Sequence, residues 1–153
     1  MDTLSRREML LTISMALFAS SRIRGQQATK VDVYKDPTCG CCGEWVKHLQ
    51  RAGFATAVTD VQSIEAVKIK YHVPAQLQSC HTALVDGYVI EGHVPAAEIR
   101  RLLAGRPKVV GLAVPGMPVG SPGMEGANGK PYDVVSFDAA GTTRVYSTQQ
   151  PLR

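Results

Sequence analysis

The chain has 153 residues, 44% of them hydrophobic and 20% charged, which suits one soluble globular domain with a single core. The net charge of +4 is misleading: Arg6, Arg7, Arg22 and Arg24 against Asp2 and Glu8 place +2 within residues 1–28 and leave +2 on the rest. Aromatics make up only 6%, and no Lys/Arg stripe interleaves with them, so nucleic-acid binding finds no support.

Residues 1–28 read as a signal peptide. Arg6 and Arg7 precede an apolar run from Met9 to Ala19, and the small residues Ser20 and Ser21 follow. The run is too short to span a bilayer, which takes about 20 residues. The arginine pair resembles a twin-arginine export signal, with a general secretory signal as the alternative. Either route leads to the periplasm or the cell exterior, with no stable membrane association once the segment is removed.

Residues 29–106 form the expected core. Lys30 to Tyr34 alternates and is β-branched, so it predicts a strand. Asp36-Pro37-Thr38 is a turn, with Thr38 a candidate helix cap. Gly43 to Ala52 predicts a helix with Trp45, Val46 and Leu49 on one side, stopped by Gly53. Ala55 to Thr59 is a second strand, and Ser63 to Tyr71 a second helix. Thr82 to Val85 and Tyr88 to Glu91 flank Asp86-Gly87, a strong hairpin signal. Pro95 starts a third helix that ends near Gly105. The order β-α-β-α-β-β-α is that of a thioredoxin-like α/β fold. Residues 107–153 read as an extension: a Gly/Pro-rich loop over 111–129, then a strand pair at Tyr132–Phe137 and Thr143–Tyr146 around Ala140-Gly141.

Cysteines carry the chemistry. There are four, and three of them, Cys39, Cys41 and Cys42, fall within four residues. Adjacent cysteines close almost no loop, so they staple a fold poorly. Their density points to redox chemistry or metal. A helix N-terminus favours thiolates, and the thiolate is both nucleophile and ligand. Soft thiolates select Cu(I), Zn(II) or iron–sulfur clusters, and one sulfur can bridge two copper ions. The alternative is a plain Cys39–Cys42 redox disulfide with Cys41 a bystander. In thioredoxin-like folds the loop entering the third strand faces the active-site cysteines and usually carries a cis-proline; here that place holds Ser79-Cys80-His81. Cys80 alone would read as a small buried residue, but His81 beside it adds a second candidate ligand. Met117 and Met124, in the Gly/Pro loop, are soft thioethers suited to Cu(I), with packing as the alternative. His48, His72 and His93 are expected in surface or turn roles, and Trp45 in the core.

Four stretches together resemble a known family: Tyr34 to Trp45, which holds Cys-Gly-Cys-Cys; Ser79 to Ala83; Glu91 to Ala96; and Gly116 to Glu125. They are similar to the CopG-like family, bacterial proteins long filed as a domain of unknown function and often encoded among copper-resistance genes. The resemblance runs from about residue 30 to residue 137. It implies a thioredoxin fold whose C-terminal extension helps bind metal, and copper held by Cys39, Cys41, Cys42 and Cys80. It also implies a role in interconverting Cu(I) and Cu(II) during periplasmic detoxification, without settling turnover. Three functions follow for testing: a copper oxidoreductase in which Cys39 and Cys42 exchange electrons, a passive chaperone or buffer handing copper to an efflux system, and a thiol–disulfide oxidoreductase acting on proteins. The expected assembly is a monomer whose partners are copper ions. Zinc is the rival metal by ligand count.

Overall fold

A computed structural model describes residues 27–153; the signal segment expected over residues 1–28 falls almost wholly outside them. The elements are β1 (Lys30–Lys35), α1 (Gly40–Arg51), β2 (Ala55–Asp60), α2 (Ile64–Lys70), a short 3-10 turn (Ala75–Leu77), β3 (His81–Val85), β4 (Tyr88–Gly92), α3 (Ala96–Gly105), β5 (Gly111–Val114), β6 (Tyr132–Phe137) and β7 (Thr143–Gln149). All seven strands join one mixed sheet in the order β2-β1-β3-β4-β5-β6-β7. The chain is thus a mixed α/β protein.

Two parallel pairs, β1 with β2 and β4 with β5, are each bridged by one helix, α1 and α3. The remaining neighbours are antiparallel. Side chains alternate between the two faces of the strands. On one face Val31, Val33, Ala83, Val85, Ile90, Leu112, Val114 and Val134 pack with Trp45, Val46 and Leu49 of α1 and with Ile99 and Leu102 of α3. On the other, Val89, Ala113 and Phe137 pack with Val73 and Leu77 beside the 3-10 turn. Truncating a fully buried residue such as Leu112 to alanine would cost about 2–5 kcal/mol.

The β3–β4 hairpin turns on Asp86 and Gly87, both at positive φ (47° and 88°), the backbone that a two-residue type I′ turn requires. Its register pairs Val85 with Tyr88 and Thr82 with Glu91.

Some expectations shift. The first helix begins at Gly40, not Gly43, so Cys41 and Cys42 lie inside its first turn. Pro95 is the residue before α3, not its first residue. The last strand runs on to Gln149. The Gly/Pro-rich stretch is not all loop, since its first four residues are β5, every one of them buried. Gly111 is needed there because a Cβ would run into the Val89 carbonyl of β4.

Candidate metal centre

Three of the four cysteines enter the site from one turn. The Asp36 carboxylate accepts from the Thr38 amide at 2.7 Å and from its hydroxyl at 2.5 Å, and the Asp36 carbonyl accepts from the Cys39 amide at 3.1 Å. These Thr38 bonds hold the Asp36 carboxyl below its ordinary range. Thr38 therefore shapes the turn and does not cap the helix. Cys39 takes the cap position without a side-chain hydrogen bond, which leaves its sulfur for other chemistry. No acidic residue stands in the first turn of α1, so nothing there offsets the partial positive charge of the helix end.

Cys39 and Cys42 are joined by a disulfide, while Cys41 and Cys80 are free thiols. The dithiol pairing weighed above is the state present, yet Cys41 stands close to it. Its Sγ lies 3.6 Å from that of Cys39, and Cys42 Sγ lies 3.7 Å from the Cys80 carbonyl oxygen. The four sulfurs all fall within 4.8 Å of one another. Two thiolates sharing one ion at about 2.3 Å each sit no more than about 4.6 Å apart. The cluster is thus within a small adjustment of metal-ligand spacing once the disulfide is reduced.

Cys80 arrives by tertiary structure. It precedes β3, and the hairpin register carried two residues past the Thr82–Glu91 pair sets it opposite His93. Cys80 Sγ lies 3.1 Å from His93 Nε2 and 3.3 Å from His81 Nδ1. Burial, with the neighbouring Cys41, pushes the Cys80 thiol up to about 12. Burial also lowers His93, and lowers His81 well below the ordinary range with help from His93. Cys80 is therefore a neutral S–H with imidazole acceptors at hand.

His93 overturns the surface or turn role expected of it. It is fully buried, and its Nδ1 lies 2.8 Å from the Pro122 carbonyl. His81 is also fully buried and packs against Trp45, with ring centroids 4.3 Å apart and the rings tilted by 41°. Trp45 is core, as expected, and its indole N–H donates to the Val94 carbonyl at 2.9 Å.

A buried charge network fixes the Cys80 loop. Glu91, fully buried on β4, accepts from Lys68 Nζ at 2.5 Å, the Thr82 hydroxyl at 2.7 Å and the Ser79 amide at 2.6 Å. The last of these bonds holds the residue just before Cys80. A Cβ at Gly92 would meet Ser79 Oγ at 2.7 Å and the Val114 carbonyl at 2.8 Å, so only glycine lets the loop come this close.

The extension reaches the site through its backbone. Gly123, at φ +88°, packs against α1 so tightly that a Cβ would meet Trp45 N at 2.8 Å and the Cys41 carbonyl at 2.9 Å. Met117 sits at an exposed left-handed turn, and Met124 is half-buried, its amide and carbonyl bonded to Ser121 and Gly120. His48 accepts from the Ala96 amide at 3.1 Å and so closes the start of α3. His72 is exposed at φ 55°.

Sequence reasoning missed His93 and the Lys68–Glu91 pair. The signal for His93 was present: with Asp86-Gly87 as a two-residue turn, the register alone brings positions 80 and 93 together.

Comparison with known proteins places these features. A family model described as "Protein of unknown function, DUF411" matches residues 77–124, the span that holds Cys80, His93 and the Gly123 contact. No curated protein matches the sequence. Two solved structures are similar. One, named "Copper resistance protein copG- Form 2", is 44% identical, with 80% of this chain and 99% of that chain covered and a TM-score of 0.76. The other, "Copper resistance protein copG- Form 1", is 43% identical, with 81% and 99% covered and the same TM-score of 0.76. With that identity over nearly the full length of those structures, and with its own cysteine cluster assembled, the chain belongs to the CopG-like copper-resistance family.

Proposed function

We propose that the protein binds Cu(I) through the thiolates of Cys39, Cys41, Cys42 and Cys80 and couples copper to the Cys39–Cys42 pair. The single observation behind this is the convergence of four sulfurs within 4.8 Å, two of them already an oxidised pair. Soft thiolates favour Cu(I) over harder ions, and the crowding of Cys41 against the pair favours bridging of several ions over one tetrahedral zinc. The redox step balances as follows. The Cys39/Cys42 dithiol gives two electrons to two Cu(II) ions, forming the disulfide and two Cu(I) and releasing two protons; the reverse regenerates the dithiol. The thioredoxin-like reading of residues 29–106 is supported by the helix-bridged β1–β2 pair, by the β3–β4 hairpin and by the cysteine turn that opens α1. Residues 107–153 serve the site chiefly as a wall. Met117 and Met124 as added thioether ligands rest on their softness and their place in that segment.

Export to the periplasm, by the twin-arginine route, fits the Arg6-Arg7 segment and the copper-resistance names of the relatives. Among the described residues no helix is long and apolar enough to cross a membrane. A monomer that passes copper to an efflux system completes the proposal.

Titration of the reduced protein with Cu(I), read by X-ray absorption at the copper edge, tests it. Uptake with copper–sulfur scattering is expected, and no uptake ends the proposal. Cys42→Ser should still bind Cu(I), with affinity reduced at least tenfold, and lose the two-electron exchange. A wild type that binds Cu(I) without exchanging electrons is a passive carrier, and a variant that exchanges them as well as the wild type takes the Cys39–Cys42 pair out of the redox step.

One observation favours a second reading. The Cys39–Cys42 bond has the Cys-x-x-Cys spacing of a thiol–disulfide oxidoreductase. Reduction of insulin by metal-free protein would support it.

A further inference from the structure

Cys41 is the one sulfur of the turn that the Cys39–Cys42 bond leaves out, yet it touches that bond. Its free thiol faces Cys39 Sγ at 3.6 Å, so a nucleophile and a disulfide sulfur are already in contact. The other free thiol is engaged elsewhere. Cys80 Sγ is held between His93 and His81, at 3.1 and 3.3 Å, and the Cys80 loop meets the disulfide through its carbonyl, 3.7 Å from Cys42 Sγ. Exposure divides the clustered sulfurs as well. Cys39 and Cys41 are half-buried, and Cys42 is fully buried. A thiol from outside therefore reaches the bonded pair only at its Cys39 end. Gly40, between Cys39 and Cys41, is exposed and has nothing within 4 Å of an added Cβ, so the backbone there is free to follow a closer approach of the two sulfurs.

We propose that Cys41 is an internal nucleophile that attacks Cys39 and moves the disulfide from Cys39–Cys42 to Cys39–Cys41, freeing the buried Cys42. The step balances within the chain. The Cys41 thiol gives up its proton, and its sulfur forms the new bond to Cys39 Sγ. The Cys39–Cys42 bond breaks, its electron pair leaves on Cys42 Sγ, and that sulfur takes up a proton. No electron is gained or lost, so no outside oxidant or reductant takes part, and no metal is needed. The freed Cys42 thiol has an acceptor in place, the Cys80 carbonyl. The exchange carries the oxidised bond from a pair with one buried sulfur to a pair with none. A dithiol donor from outside then finds both sulfurs within reach. Its two thiols become a disulfide, and Cys39 and Cys41 return to thiols. Cys41 thus acts as a third redox sulfur, which neither a bystander nor a ligand alone would be.

The test uses the full chain in the disulfide form, free of metal and oxygen, checked by a count of two free thiols. A low dose of iodoacetamide labels it slowly, so that the two pairings equilibrate between labelling events. The sample is quenched in acid and reduced, and the remaining cysteines are capped with heavy-isotope iodoacetamide. Fragment-ion spectra assign light or heavy label to Cys39, Cys41 and Cys42 separately. A fixed disulfide leaves light label on Cys41 and Cys80 alone. Exchange puts light label on Cys42 in molecules whose Cys41 is heavy, at more than ten times the level found in Cys41→Ser. Cys80→Ser should keep the Cys42 label. Circular dichroism reports the fold, and Cys41→Ala is the second variant should Cys41→Ser fail to fold. Light label confined to Cys41 and Cys80 in the wild type overturns the exchange, and so does a Cys42 label that survives in a folded Cys41 variant. Either result leaves the Cu(I) reading standing, because no metal is present, and failure of the reduced protein to take Cu(I) leaves the exchange standing.

Discussion

The two sides of Cys80 are built in opposite ways. On the sulfur side, three cysteines share one turn, and Gly40 and Gly43 beside them have nothing within 4 Å of an added Cβ. That turn is partly exposed and has room to move. On the imidazole side, His81, His93 and Glu91 are fully buried and come from two strands and the loop after them, and the extension closes over them. The contrast teaches where change is permitted. The sulfurs that must switch between disulfide and thiolate sit on that turn, Cys39 half-buried and Cys42 fully buried at its inner end. The thiol that must stay in place is braced by a polar network with no spare room.

The strongest test of this contrast is to break the brace. Lys68→Met leaves the Glu91 carboxylate buried without its cation, and unfolding in urea should register a loss of about 3–5 kcal/mol. Lys47→Met removes an equivalent contact to Glu44 on the exposed face of α1, 2.7 Å long, and should cost under about 1 kcal/mol. Equal losses would mean that the buried network braces nothing.

A glycine pair sharpens the same point. Gly123→Ala must push the extension off α1 and should cost about 1–3 kcal/mol, with hydrogen exchange rising first over residues 118–126. Gly40→Ala, at the open turn, should be neutral or stabilising by up to about 1 kcal/mol. A larger loss at Gly40 than at Gly123 would reverse the assignment of open and closed sides.

The smallest effect concerns pH. Burial, with the nearby Arg51 charge, lowers His48, whose Nε2 accepts the Ala96 amide. A base lowered on folding binds its proton more tightly when unfolded. Its contribution is whole above the ordinary value of 6.5 and is lost as pH falls through the lowered folded value. Melting temperature should therefore drop on acidification from pH 7. His48→Gln should flatten that drop by its own share, well under about 1 kcal/mol after solvent screening. A steeper acid drop in the variant would contradict the hydrogen-bond assignment.

The sequence was most legible where structure is local. Alternation marked Val31 and Val33, Asp86-Gly87 marked the hairpin, and the spacing of Trp45, Val46 and Leu49 marked α1. It was least legible in β5. A four-residue strand buried on both faces shows no alternation, and its glycine resembles a loop signal. Within the site, the three clustered cysteines and Cys80 were visible by residue type. His93 was not, because Glu-Gly-His-Val-Pro looks like a turn until the hairpin register is carried past its last pair. Lys68 was hidden as well, since a lysine on a short helix reads as solvated until a buried carboxylate is found facing it.

The continuous sheet has a practical outcome for anyone shortening the chain. Cutting after residue 106 would strip β5 from β4, a strand whose five residues are all buried. Its freed amides and carbonyls would offer a template for strand addition by other copies. Such a fragment should precipitate, however well its cysteines are preserved.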